Sequence, residues 1–125
     1  MYSVKIRQHI MIAHSFNHPG FGPAQKMHGA TYVVDVSFFS KELNEMAVVI
    51  DIALAHEALE GVLASLNYQN LDELPQFKGQ LTTTEFLAKY IHDVVKEKVA
   101  PEFSGGMEVT LGESHIAWAS YSSAI

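Results

Sequence analysis

The chain has 125 residues, of which 48% are hydrophobic and 18% charged, enough to bury one core and too few for two. Its formal net charge of -6 supplies no basic stripe for a phosphate backbone, which sets a nucleic-acid partner aside. The absence of cysteine excludes a disulfide framework, a thiolate metal site and a cysteine nucleophile, and fits a reducing cytoplasm.

Met1 to Arg7 alternates polar and apolar residues and has no signal-peptide core, and no run approaches the roughly 18 apolar residues of a membrane span. The expectation is one soluble, cytoplasmic domain over residues 1–125 with no membrane partner. Tyr2 to Ile12 alternates with period two, placing Val4, Ile6, Ile10 and Ile12 on one face of a first strand that ends near His14. Ser15 to Met27, holding Pro19, Gly20, Gly22 and Pro23, predicts a loop longer than a hairpin turn, and loops of that length are often functional. Thr31 to Phe39, rich in β-branched and aromatic residues, predicts a second strand, and the apolar run Met46 to Ile50 a short third.

Asp51 can cap a helix over Ile52 to Leu66, with Ile52, Ala55, Leu59, Val62, Leu63 and Leu66 on one face and His56, Glu57 and Glu60 on the other. Thr82 and Glu85 have capping-box spacing and open a second helix that runs to about Val99, with Leu87, Ile91, Val94 and Val95 inward. His92 falls on its polar face, so His56 and His92 are both read as exposed. Pro101 and Gly105-Gly106 then separate this helix from a hairpin of Met107 to Leu111 and Ile116 to Tyr121. Strand, strand, short strand, helix, helix, strand, strand is an α+β order with a mostly antiparallel sheet, and its open edges favour oligomerisation.

Four blocks stand out: His14; His28-Gly29-Ala30-Thr31-Tyr32; Leu66-Asn67-Tyr68-Gln69-Asn70-Leu71-Asp72; and Glu113-Ser114-His115-Ile116-Ala117-Trp118-Ala119-Ser120-Tyr121. In this order and spacing they resemble the 6-pyruvoyltetrahydropterin synthase and 6-carboxytetrahydropterin synthase family. The resemblance implies a T-fold, an antiparallel sheet with two helices on one face. It also implies that subunits join their sheets into a barrel, as a homo-oligomer with sites at subunit interfaces.

In that family a histidine ending the first strand and both histidines of a His-Gly-His bind zinc. His14 and His28 match the first two positions, but the third is Ala30, which cannot ligate. Catalytic zinc normally takes three protein ligands, so either the site is empty or another group completes it. His18 is the nearest candidate in sequence; His9, at an odd offset from His14, points to the opposite strand face.

The family's catalytic cysteine position is Ala24, and its Asp-His pair is replaced by Asn67 and Tyr68. An amide does not stabilise a charged imidazole as a carboxylate does, and a tyrosine of pKa near 10 is a weak base at neutral pH. Lys26 and Tyr68 are the remaining acid–base candidates, for a retro-aldol cleavage of the kind other T-fold enzymes perform.

Glu113 matches the family's ring anchor, a carboxylate accepting two parallel hydrogen bonds from a 2-amino-4-oxo pterin edge. Met107, Val109, Leu111 and Glu113 share a strand face by parity, unless a bulge at Gly112 turns Glu113 outward. Thr83 and Thr84 match positions that help to hold the ring, although a Thr-x-x-Glu helix start accounts for them equally. The leading expectation is a diverged family member that binds a pterin or related purine-like ring through Glu113. Two alternatives stand beside it: a lyase acting on dihydroneopterin or its triphosphate through His14, His18, His28 and Tyr68, and a non-catalytic structural or regulatory subunit.

Overall fold

The computed structural model describes residues 1–124. Two long strands, β1 (Tyr2–His14) and β2 (His28–Ser40), pair antiparallel along their whole length, from Tyr2 opposite Ser40 to His14 opposite His28. After α1 (Ile52–Ala64) and the two-residue β3 (Gln69–Asn70) comes α2 (Thr84–Val99), then the hairpin of β4 (Gly106–Ser114) and β5 (Ala117–Ser123). The sheet order is β3-β1-β2-β4-β5, antiparallel except for β3, which runs parallel to β1 at Ile12 and Ala13.

Alternation decides which face is buried. Ile6, Ile10 and Ile12 of β1, Tyr32, Val34, Val36 and Phe38 of β2, and Met107, Val109 and Leu111 of β4 form one cluster with Leu59, Val62 and Leu63 of α1 and Leu87, Ile91 and Val95 of α2. Both helices therefore cover one face, while Lys5, Arg7, His9 and Met11 of β1 stand exposed on the other. This is the α+β arrangement expected from the element order, and it agrees with the T-fold that the family resemblance implies.

Four expectations are corrected. Met46 to Ile50 is not a strand: the Asn44 side-chain oxygen accepts from the Met46 and Val48 amides at 2.9 and 3.3 Å, a turn that takes the donors a ladder would need. The extra strand is instead Gln69–Asn70, held by pairing with β1. The first helix ends at Ala64, where Ser65 caps it, and Ile52 at its first turn is 55% exposed. His92 is buried at 2% exposure, contrary to its polar-face reading.

The long loop contains a 3-10 segment, Pro19–Gln25, broken at Gly22, whose φ of 54° lies in the left-handed region open to glycine. Among the described residues no helix is long and apolar enough to cross a membrane.

Candidate functional site

The ends of β1 and β2 bring His14 and His28 together, because opposed residues in an antiparallel ladder put their side chains on the same face. Their rings meet edge to face at 4.6 Å between centroids, and Phe16 lies against both, at 4.5 Å from His14 and 5.5 Å from His28. His14 is 1% exposed, and its Nδ1 is 3.1 Å from the Thr82 hydroxyl. Burial pushes its pKa down to about 4 and the neighbouring His28 adds to this, against the opposing pull of Asp72 and Thr82. His14 is thus a neutral imidazole at neutral pH.

The second ring has a defined tautomer. A carbonyl only accepts, so His28 Nδ1 donates to the Lys26 carbonyl at 2.9 Å, and the neutral ring keeps its lone pair on Nε2. Two positions along the same face, Ala30 packs against the core and offers no donor atom. His18 is committed locally, its Nδ1 accepting from the Gly20 amide at 3.0 Å. Among the described residues no three His, Cys, Asp or Glu side chains converge on a metal-sized position. The donor set is two imidazoles, which does not fit a three-ligand zinc centre.

The three consecutive threonines Thr82, Thr83 and Thr84 at the start of α2 link this pair to the carboxylate. Thr82, 1% exposed, holds His14. Thr83, rather than Thr82, is the N-cap, its hydroxyl accepting from the Phe86 amide at 3.2 Å. Thr84 donates to Glu113 Oε2 at 3.4 Å. A run of three threonines gives one a cap and leaves the flanking two to reach opposite ends of the site.

At Glu113 the bulge alternative prevails over the shared strand face. The β4–β5 register shifts between Gly112 and Ser114, so the bulge exists and Glu113 is exposed, yet its carboxylate stays with Thr84 at the start of α2. The contact places the carboxylate at the N-terminal end of a 16-residue helix. Tyr32, in the same strand row as His28 and Ala30, is 1% exposed. Burial raises the Tyr32 hydroxyl pKa, the influence of Thr84 works the other way, and the charges of Glu113 and Glu85 raise it further.

Asp72 accepts from the amide and hydroxyl of Ser15 and borders a cavity of about 440 Å³ lined also by Asn17, Phe77 and Leu81. On the helix-free face a larger hollow, about 630 Å³, runs from the bidentate Arg7–Asp35 pair to Glu113 and Trp118.

The acid–base candidates are placed less favourably. Tyr68 is 78% exposed, with a φ of 60° that only a few non-glycine residues adopt. Its amide donates to the Met11 carbonyl at 2.7 Å, and the Asn67 side-chain oxygen accepts from the Met11 amide at 2.9 Å. Asn67 and Tyr68 thereby clamp the outer edge of β1. Lys26 is exposed, and no hydrogen bond or ion pair joins it to Tyr68 among the described residues.

Sequence reasoning missed Thr82 and Tyr32 as site residues. Tyr32 carried a signal in its spacing, since positions 28, 30 and 32 share one strand face and a buried phenol needs a partner for its hydroxyl.

The family model described as 6-pyruvoyl tetrahydropterin synthase matches residues 3–124. A curated 6-pyruvoyl tetrahydrobiopterin synthase from Dictyostelium discoideum is 33% identical over 75 residues, which is 58% of this chain and 56% of that protein. The match therefore spans just over half the length of that relative. Among solved structures, the Caenorhabditis elegans 6-pyruvoyl tetrahydropterin synthase superposes with a TM-score of 0.84 at 20% identity, covering 98% of this chain and 96% of that one. A Plasmodium vivax 6-pyruvoyltetrahydropterin synthase gives 0.80 at 18% identity, with 99% and 98% covered. At these identities the two structures speak for the fold.

Proposed function

The chain belongs to the 6-pyruvoyl tetrahydropterin synthase family, and from that premise we propose that it binds a pterin or a related purine-like ring through Glu113, with the family's standard chemistry altered. The observation that carries the reading is the Glu113 carboxylate, exposed to a ligand yet tied through Oε2 to Thr84 at the start of α2. A carboxylate held in one plane accepts the ring N–H and exocyclic amine of a 2-amino-4-oxo ring side by side.

Support for altered chemistry comes from the groups around it. Ala24 and Ala30 bring no functional group, the Asn67 side chain is engaged with the Met11 amide, the Tyr68 side chain is exposed, and among the described residues no third ligand joins the two imidazoles. In this reading His14 and His28 are hydrogen-bonding groups for the bound molecule, with His28 Nε2 as the acceptor.

Oligomerisation belongs to the same proposal. The outer edge of β1 from Tyr2 to Ile10 and the outer edge of β5 carry no partner strand among the described residues. Because β1, β2, β4 and β5 alternate in direction, β5 of one copy meets β1 of the next antiparallel, a head-to-tail contact that can close into a ring.

Titrating the protein with neopterin and dihydroneopterin by calorimetry tests the assignment. Saturable binding that disappears in Glu113→Ala is expected, and equal binding by that variant would sink the ring-anchor role. Light scattering of the same samples reads the assembly, where a monomer at all concentrations counts against the ring.

A further inference from the structure

We infer that Trp118 is the stacking platform for the ring whose edge Glu113 holds, so that a flat bicyclic heteroaromatic ligand lies on the indole in the hollow of the helix-free face. The inference rests on the ring-binding reading above and adds to it the surface that receives the face of the ring.

Tryptophan is on average a highly buried residue, yet the one tryptophan of this chain is 63% exposed. The sheet sets its position. Val33, Gly112 and Trp118 form one row across β2, β4 and β5, with Val33 opposite Gly112 and Gly112 opposite Trp118. Opposed residues of a ladder point to one face, and here it is the face without helices, because Leu111, the strand neighbour of Gly112, points into the core. Gly112 leaves the middle of the row without a side chain, and the indole leans over that gap. A Cβ at Gly112 would lie 3.1 Å from both Cδ1 and Nε1 of Trp118 and 3.6 Å from the Val33 Cβ. A side chain at 112 would press on the indole, so the glycine that accompanies the bulge also seats Trp118. Gly112 itself is buried beneath it.

Glu113 follows Gly112 directly, so its side chain leaves the backbone about 3.8 Å along the chain from the seat of the indole. Carboxylate and indole line the same hollow of about 630 Å³, a size that holds a small organic ligand. The two groups divide the work of recognition. Hydrogen bonds from a ring edge to Glu113 fix the ring in its own plane but leave one whole face without contact. An indole beside the acceptor covers that face, because two aromatic systems attract in an offset stack and both shed water in forming it. A carboxylate alone accepts from any two parallel N–H groups. With Trp118 next to it, the site favours donors that belong to an extended flat ring.

The test measures neopterin affinity by calorimetry in the parent, Trp118→Phe and Trp118→Leu, and reads the carbon-bound ring proton of neopterin by NMR in the parent. A ring lying on the indole has that proton shifted upfield on binding, a signature that a merely structural tryptophan does not produce. Trp118→Leu, which keeps apolar bulk and removes the flat face, should weaken binding about tenfold to a hundredfold, within the worth of one stack of a base on an aromatic side chain. Trp118→Phe should lose less, because a flat face remains. Thermal melting of both variants should stay near that of the parent, since the replaced side chain is mostly exposed. Parental affinity in Trp118→Leu, or bound neopterin with no upfield shift in the parent, would overturn the proposal. Glu113→Ala separates the two levels. If that variant binds neopterin like the parent, or the parent does not bind it, the ring-anchor reading itself fails. If Glu113→Ala loses binding while Trp118→Leu does not, only the stacking role fails.

Discussion

Thr82 Oγ1 and His14 Nδ1 lie 3.1 Å apart with both side chains 1% exposed, so the imidazole at the end of β1 is fixed by the residue just before the cap of α2. This contact couples the imidazole end of the site to the helix start that also holds Glu113. Thr82→Val keeps the shape and removes the hydroxyl, leaving a buried ring nitrogen without that partner. The expected cost is about 1–3 kcal/mol of unfolding free energy, measured by urea denaturation. A change in the His14 ring signals by NMR should accompany it while those of His115 stay put.

His14 also gives the protein a pH dependence of definite sign. Its folded pKa is about 4, against about 6.5 for an unfolded histidine, so between those values the unfolded chain binds more protons. Stability therefore rises with pH through this window, is fully present above about 6.5, and is lost as pH falls towards about 4. The whole effect is roughly 3 kcal/mol. Asp35, held low by Arg7, acts in the same direction at lower pH; so does Asp93, where Lys89 and His92 outweigh burial. Denaturation midpoints across pH 4 to 7 should fall on acidification, and His14→Asn should flatten that fall without touching the carboxylate step below it.

Ala30 is the position at which the imidazole pair stops short of a metal site. Its side chain lies on the same face of β2 as His28 and its backbone is paired with Ile12, two residues from His14 on β1. Ala30→His would add a third imidazole to the pair and meet the usual ligand count for zinc. The variant is expected to retain one zinc per chain through gel filtration, read by metal analysis, whereas the parent retains none. Zinc carried by the parent in equal amount would show that two imidazoles and a group outside the pair suffice.

How far these relationships were readable in advance depends on whether local or tertiary forces set them. Period-two alternation in β1, β2 and β4 reports burial on one sheet face, and so Val4, Ile6, Ile10 and Ile12 were legible; that His14 should meet His28 followed only from the family resemblance. Met46 to Ile50 shares that apolar composition, but the Asn44 side chain diverts its amides into a turn, and hydropathy does not register such a competition. Gln69–Asn70 is the converse case, a strand with no local signal that exists because β1 offers it an edge. The threonine run hid its assignments because three identical residues can divide three roles in several ways, and only the chain's path onto α2 decides which one caps. Parity placed Glu113 with Met107 and Leu111 and the glycine rule placed a bulge beside it. The bulge prevailed and Glu113 is exposed, while its long side chain stays within reach of Thr84.

His92 shows how an assignment by helix face fails when a distant strand covers that face, and it yields a test of how the hairpin is held. Asp93 Oδ1, an acceptor, lies 2.9 Å from His92 Nδ1, so that nitrogen donates and Nε2 accepts from the Ser123 hydroxyl at 2.9 Å. Tyr121 adds an edge contact at 4.8 Å, and Lys89 holds Asp93 at 2.8 Å from the other side. Together these contacts fasten the last turns of β5 to α2 at the open edge of the sheet. His92→Ala removes the packed ring and leaves the Ser123 hydroxyl without its partner, at an expected cost of about 2–4 kcal/mol. Because the loss falls on an edge strand, amides from Ala117 to Ser123 should exchange faster with solvent while those of the β1–β2 ladder keep most of their protection. Neopterin binding should weaken with them, since β5 is the strand that sets the register beside Glu113. His92→Gln, which can donate from its amide nitrogen and accept at its oxygen, should recover part of both. Uniform loss of protection across the sheet would instead make His92 a general core residue with no special hold on the hairpin.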